Sequence, residues 1–259
     1  MINSDLRLVV RFAGYANRTF WRNPAAAFFT LFLPVFFLVI FSALFGNEPL
    51  NINGHQVSSA TFTMVGIITF SVVSACYTNL AISVTTARET GFLKRVRGTP
   101  IPPWTFLSGR IVQSVLISLL LVVICVGFGA IFYHVRVPTS TLPALIITLV
   151  MGAAAFAALG LGMTALVPNS DAAPAVVNFS IFPFFFVSNV FIPISNPPQW
   201  LSVLTHIFPI GPFNEAIKTA VVPPLGSSGF NGGDLLVLAI WGVVGALVAF
   251  RFFSWEPHP

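Results

Sequence analysis

The chain has 259 residues, of which 56% are hydrophobic and 7% charged, with a mean hydropathy of +0.91. Soluble domains carry about 25% charged residues, so water is excluded as the solvent of most of this surface and a bilayer takes its place. The net charge of +5 does not point to nucleic acid, because the basic residues sit at the margins of apolar runs, where membrane topology needs them.

Residues 1–23 carry Arg7, Arg11, Arg18 and Arg22. At about 100° per residue these four fall within an arc of roughly 60°, opposite Leu6, Val9, Phe12, Ala13, Ala16 and Phe20. The pattern predicts an amphipathic helix lying at the membrane surface, with the arginines as its anchor. The stretch is too long and polar for the leading region of a secretory signal, so the apolar run after it reads as a retained span.

Long uncharged runs predict six spans, at about 25–46, 58–86, 107–133, 140–167, 172–194 and 233–254. Backbone groups in lipid must pair within their own segment, so these are expected to be helices. The alternating ten-residue pattern of a membrane barrel is lacking. Six spans put both termini on one side. Ten of the twelve Lys and Arg residues fall on that side, against Arg136 and Lys218 on the other. The predicted location is the cell (inner) membrane, multi-pass, with both termini cytoplasmic. The small-residue positions Ala154, Ala158 and Gly162, with Gly242 and Ala246 in the last span, suit close helix contacts.

Between Phe191 and Pro224 there are seven prolines, which no single long helix accommodates. The stretch stays apolar, so residues 195–230 are expected to form two short helices that dip into the outer leaflet, split near "FPIGPFNE". Glu215 and Lys218 have the spacing of a helical ion pair.

No G-x-x-x-x-G-K-[ST] loop is present in the sequence, so ATP is not expected to bind this chain. No group of acids, His or Ser residues suggests a catalytic or metal site. Cys76 and Cys125 each lie deep in an apolar run and read as packing residues. The spans hold no confident buried Asp or Glu, which argues against a proton-driven carrier. Milder polar residues inside spans, such as Asn79, Asn178, Ser180 and Asn189, suit helix-to-helix hydrogen bonds or a path for an amphiphile.

The stretch "ARETGFLKRVRGTPIPPW", Ala87 to Trp104, holds five of the chain's 19 charged residues within ten positions. It predicts a short helix with apolar Phe92, Leu93 and Val96. Its basic end suits the helix dipole, Gly98 can cap it and Pro100 stops it. Topology control accounts for the charges but not for the glycine and proline punctuation.

"ETGFLKRVRGTPIPPWTFLSGR", Glu89 to Arg110, resembles the cytoplasmic signature of ABC-2-type transporter permeases, in particular the membrane subunits of daunorubicin-type drug exporters. The resemblance implies an all-α polytopic membrane protein: six transmembrane helices, an N-terminal amphipathic interfacial helix, a cytoplasmic coupling helix at 88–98 and Pro-broken external re-entrant helices. It implies a separate ATPase subunit that holds ATP and Mg, and a second membrane subunit, as a homodimer or with a related permease. The coupling positions it implies are Glu89, Gly91, Phe92, Leu93, Lys94, Arg95, Arg97, Thr99 and Pro100. Spans one and five near a dimer axis would set Phe36, Phe37, Asn178, Phe185, Phe186 and Asn189 along a translocation path. The expected function is the permease subunit of an ATP-driven exporter of a hydrophobic or amphiphilic substrate, such as a drug, lipid or glycolipid. A non-transporting membrane scaffold and a secondary ion-coupled carrier stand as the alternatives.

Overall fold

The computed structural model describes residues 2–45, 49–52, 55–99, 102–135, 137–191 and 198–254. The chain begins with α1 (Ile2–Arg22) and, after Asn23, turns into α2 (Pro24–Phe45). Proline at the first helical position costs nothing, because its missing N–H would have no partner there. Two short strands follow, β1 (Pro49–Ile52) and β2 (His55–Ser58), antiparallel with Leu50 opposite Val57. The second span was expected from about residue 58; the helix begins at Ser59, and Ser58 closes β2. Asn51 and Gln56 pair across the ladder, which satisfies backbone groups that an extended entry to a helix would leave open.

The second span is one rod in three parts: α3 (Ser59–Val73), a π-helical turn (Ser74–Asn79) and α4 (Leu80–Glu89). Every residue of α3 is buried, so this rod is the axis around which the other helices pack. The short helix α5 (Phe92–Arg97) leads to α6 (Pro103–Tyr133), and a 3-10 turn (Thr139–Thr141) leads to α7 (Leu142–Met163). Then come α8 (Ala173–Val187), α9 (Gln199–Ile207), α10 (Ile210–Val221) and α11 (Gly232–Phe252).

Among the described residues, five helical stretches are long and apolar enough to cross a membrane: Ala27–Leu44, Ser59–Glu89, Trp104–Tyr133, Thr139–Met163 and Gly232–Phe252. At the place of the fifth expected span lies α8, a shorter apolar helix of 15 residues. It rises about 22 Å, less than the roughly 30 Å of hydrocarbon. The helix ends that carry Arg88, Arg110 and Arg251 form the basic end of the bundle, and the hairpin, α9 and α10 lie toward the opposite end. Exposed large side chains such as Phe179, Leu236, Leu247 and Phe250 cover the sides, as lipid-facing surface requires.

Small residues set the close contacts. A Cβ on Gly162 would lie 3.2 Å from the Gly245 carbonyl, and one on Gly245 would lie 2.7 Å from the Leu159 nitrogen, so α7 and α11 meet backbone to backbone. A Cβ on Gly160 would lie 2.8 Å from the Tyr77 carbonyl, and its absence lets the π-turn press on α7. The proline-rich stretch splits at Phe208 and Pro209 into amphipathic α9, with no buried residue, and α10, whose Ile210, Phe213, Ile217 and Val221 are buried. Phe213 lies edge-on to Phe156 of α7 at 5.4 Å. The buried Asn214 amide fixes α10 in register: it accepts from the Thr69 hydroxyl at 2.9 Å and donates to the Asn189 carbonyl at 3.2 Å.

Replacing Asn214 with Leu removes both of these hydrogen bonds from a buried site and is expected to cost about 1–3 kcal/mol. A lowered melting temperature in detergent checks this, while Val203→Ala on the exposed face of α9 should move it far less.

Candidate functional site

The charged decapeptide lies at the basic end. Helix α4 closes as the Thr90 amide donates to Thr86 and the Gly91 amide to Arg88, at 3.0 and 3.1 Å. Gly91 has φ of +68°, a left-handed conformation that costs glycine nothing and suits a helix end. That turn aims α5 back under the bundle. Leu93 and Val96 are buried, while Lys94 and Arg95 face outward. Phe92, read as apolar like Leu93, is 40% exposed, with its ring 5.4 Å from Phe106 of α6. The Thr99 hydroxyl donates to the Val96 carbonyl at 2.7 Å and closes the helix. The side chain of Arg97 and the whole of Pro100 lie outside the described residues.

The last two residues of α4, just ahead of the turn into α5, are tied across the bundle. Arg88 is only 2% exposed. Its guanidinium donates to the carbonyls of Thr164 at 2.9 Å and Val167 at 2.6 Å, just beyond the C-terminus of α7. Helix C-termini leave carbonyls without partners and carry partial negative charge. The planar, forked guanidinium answers both needs at once. Glu89 accepts from the Ser170 amide in the same loop, and the Asn169 side chain accepts from the Ala172 amide at 2.8 Å. The end of α4 and the loop 164–172 are thus joined by charge-assisted hydrogen bonds.

The four N-terminal arginines, Arg7, Arg11, Arg18 and Arg22, are all exposed. On the other face of α1, Val9, Ala13 and Ala16 are buried against α6. Gly109 makes room, since a Cβ there would stand 2.5 Å from the Phe12 Cβ, and Phe12 meets Phe106 edge-on at 5.8 Å. Between α1, α4, α5 and α6 lies a cleft of 870 Å³, bordered by Tyr15, Thr86, Phe92, Arg95 and Arg110.

The residues expected along a path divide. Phe36 and Phe186 are exposed, and Asn178 is half-buried. Phe185 is buried and Phe37 partly so, both within one ring cluster: Phe37 is 6.0 Å from Phe70, Phe70 is 5.2 Å from Phe185, and Phe186 is 5.9 Å from Phe191. Asn189 adopts φ of +54° and borders a 70 Å³ cleft beside Glu215 and Asp234. The Glu215 and Lys218 pair closes at 2.5 Å. Cys76 and Cys125 are free and buried.

Residues 12–221 match the family model described as ABC-2 type transporter. The chain belongs to the ABC-2 type transporter family. It is 24% identical over 237 residues to a putative transport permease, ycf38, of Porphyra purpurea, covering 90% of this chain and 79% of that one. It is 25% identical over 230 residues to the inner membrane transport permease YadH of Escherichia coli K12, covering 88% and 86%. A third relative, a probable multidrug ABC transporter permease, YbhR, of the same strain, is 26% identical over 138 residues, covering 53% and 37%. The ABC-2 chain is a multi-pass membrane permease of an ABC transporter, and ABC-2 permeases generally work with a separate ATPase subunit.

Within this ABC-2 fold, Arg88 is the residue that sequence reasoning passed over as a topology charge. Its signal was present: it sits inside the apolar boundary, one position before Glu89, where a charge survives only if hydrogen-bonded. Arg88→Ala should leave the carbonyls of Thr164 and Val167 unpaired. Hydrogen exchange of the amides in 164–172 is expected to speed up about tenfold or more, whereas Lys94→Ala, on the exposed face of α5, leaves it unchanged.

Proposed function

We propose that this chain is the membrane subunit of an ATP-driven exporter, with α5 as the surface through which a separate ATPase subunit drives it. The observation that carries this reading is the division of α5: an apolar face, Leu93 and Val96, seated in the bundle, and a cationic face, Lys94 and Arg95, turned outward. A helix built only for topology needs the charges but not the seat. Here the seat is reinforced by Arg88 and Glu89, so a push on α5 is delivered to the end of α7 as well as to α4. That rigidity is what a lever requires.

On this reading both termini and α5 face the cytoplasm, in keeping with the distribution of Lys and Arg. ATP and Mg are held by the partner, whose closure on ATP displaces α5. Two membrane subunits stand side by side. The exposed rings of α2 (Phe28, Phe29, Phe32, Phe36) and α8 (Phe179, Phe182, Phe186) supply the apolar surface between them, and a hydrophobic or amphiphilic cargo moves along it. The name of one relative, a probable multidrug permease, agrees with such cargo.

Lys94→Glu combined with Arg95→Glu should abolish co-purification with the cognate ATPase subunit and the ATPase activity of the complex, while the membrane subunit folds normally. An intact, active complex would show that the ATPase docks elsewhere.

A further inference from the structure

Three clefts run into one another along the seam between α1, α2, the π-turn and α6. The 870 Å³ cleft at the basic end shares Thr19, Asn23, Ser83 and Arg110 with a second of 220 Å³ that reaches Gln113. The second shares Thr30, Ala75 and Asn79 with a third of 210 Å³, walled by Phe29, Leu33, Phe70 and Leu121. The seam is therefore graded. A cation stands at its wide mouth, amides and hydroxyls line its middle, and its far end is apolar.

Three polar side chains along the seam, Arg110, Gln113 and Asn79, are unspent. The Arg110 guanidinium lies 5.6 Å over the Phe106 ring but makes no hydrogen bond or ion pair with another described residue. The side chains of Gln113 and Asn79 likewise have no hydrogen-bond partner among the described residues. Asn79 lies about 15 Å of helix rise from Glu89, well inside hydrocarbon depth, where an amide without a partner is costly and its persistence points to a use. The fold also spends structure on presenting it. The π-turn ends at Asn79, and it is held against α7 at Gly160, where a Cβ would meet the Tyr77 carbonyl at 2.8 Å. Single π-turns within α-helices recur at functional sites.

We infer that this seam binds an anionic amphiphile, a phosphate- or carboxylate-headed molecule with an alkyl or acyl tail. Arg110 holds the anion by charge-assisted hydrogen bonds, which its fork can make bidentate. Gln113 and Asn79 donate to the linker oxygens. The tail lies against Phe29, Leu33, Phe70 and Leu121, with its end away from the basic end of the bundle. A cationic amphiphile is excluded from this pose by Arg110. The inference goes beyond the exporter reading, and its test uses no ATPase subunit, so the two fail separately.

The full chain is reconstituted in nanodiscs of zwitterionic lipid with a long-chain alkyl phosphate carrying a diazirine at the tail end, and labelled peptides are mapped by mass spectrometry. Label is expected on the α2 and α6 segments that hold Phe29, Leu33 and Leu121. It should fall about tenfold in Arg110→Gln, the loss expected for one charge-assisted contact, and severalfold in Gln113→Leu, but persist in Arg110→Lys. Equal labelling of wild type and Arg110→Gln overturns the inference. Should Arg110→Gln fail to fold, competition on the wild type decides: unlabelled alkyl phosphate must suppress the label and alkyl phosphocholine must not, and equal suppression overturns it. A photoreactive phosphatidylglycerol run in parallel separates the sources. Preference for the single-chain probe marks a cargo-like amphiphile and preference for the diacyl probe a membrane lipid, and either supports an anionic-amphiphile site.

Discussion

A buried guanidinium holds the basic end of this protein together. Arg88 is withdrawn from water, at a cost that only well-made hydrogen bonds offset. It finds them at the open carbonyls past the end of α7. The arrangement settles two problems with one side chain: a charge at the edge of an apolar bundle, and a helix end with unpaired acceptors. Its consequence is mechanical. The second span, the short basic helix after it and the loop between α7 and α8 share one anchor, so none of them moves far without the others.

The rest of the bundle follows from the solvent. Lipid does not drive helices together as water does, so contact depends on packing and on internal polar pairs. Glycines at 160, 162 and 245 bring backbones close. Thr69, Asn214 and Asn189 join the opposite end through an amide with both halves used. Aromatic rings fill the space between α2, α3 and α8. The polar seam beside Arg110 stands out against this background, because the bundle does not use the side-chain amides of Asn79 and Gln113 for itself.

The long apolar runs were legible in the sequence because a span announces itself by composition alone. The run of cations and Gly98 also signalled a basic helix, but the one expected at 88–98 is broken by the left-handed Gly91, so that Arg88 and Glu89 end α4 and α5 begins at Phe92. Three features were not legible. The fifth run has the apolar length of a span, but its helix stops at Val187, ahead of a left-handed Asn189, and composition does not report where a helix ends. The hairpin was missed although Asn-Gly stands in the sequence between "PLNI" and "HQVS", a strong turn signal, because hydropathy reports long apolar runs and passes over strands of four residues. The role of Arg88 was hidden by its neighbours. Among five charges, topology explained the sign of each, and only the contacts to Thr164 and Val167 tell the one that turns inward from those that face out.

The central claim is that α5 and the 164–172 loop behave as one body. Spin labels at Lys94 and Leu166, both exposed, in the complex with its ATPase subunit allow their separation to be measured by pulsed dipolar spectroscopy. The account predicts one narrow distance distribution, the same without nucleotide and with ATP trapped. A distribution that broadens or shifts between those states would contradict it.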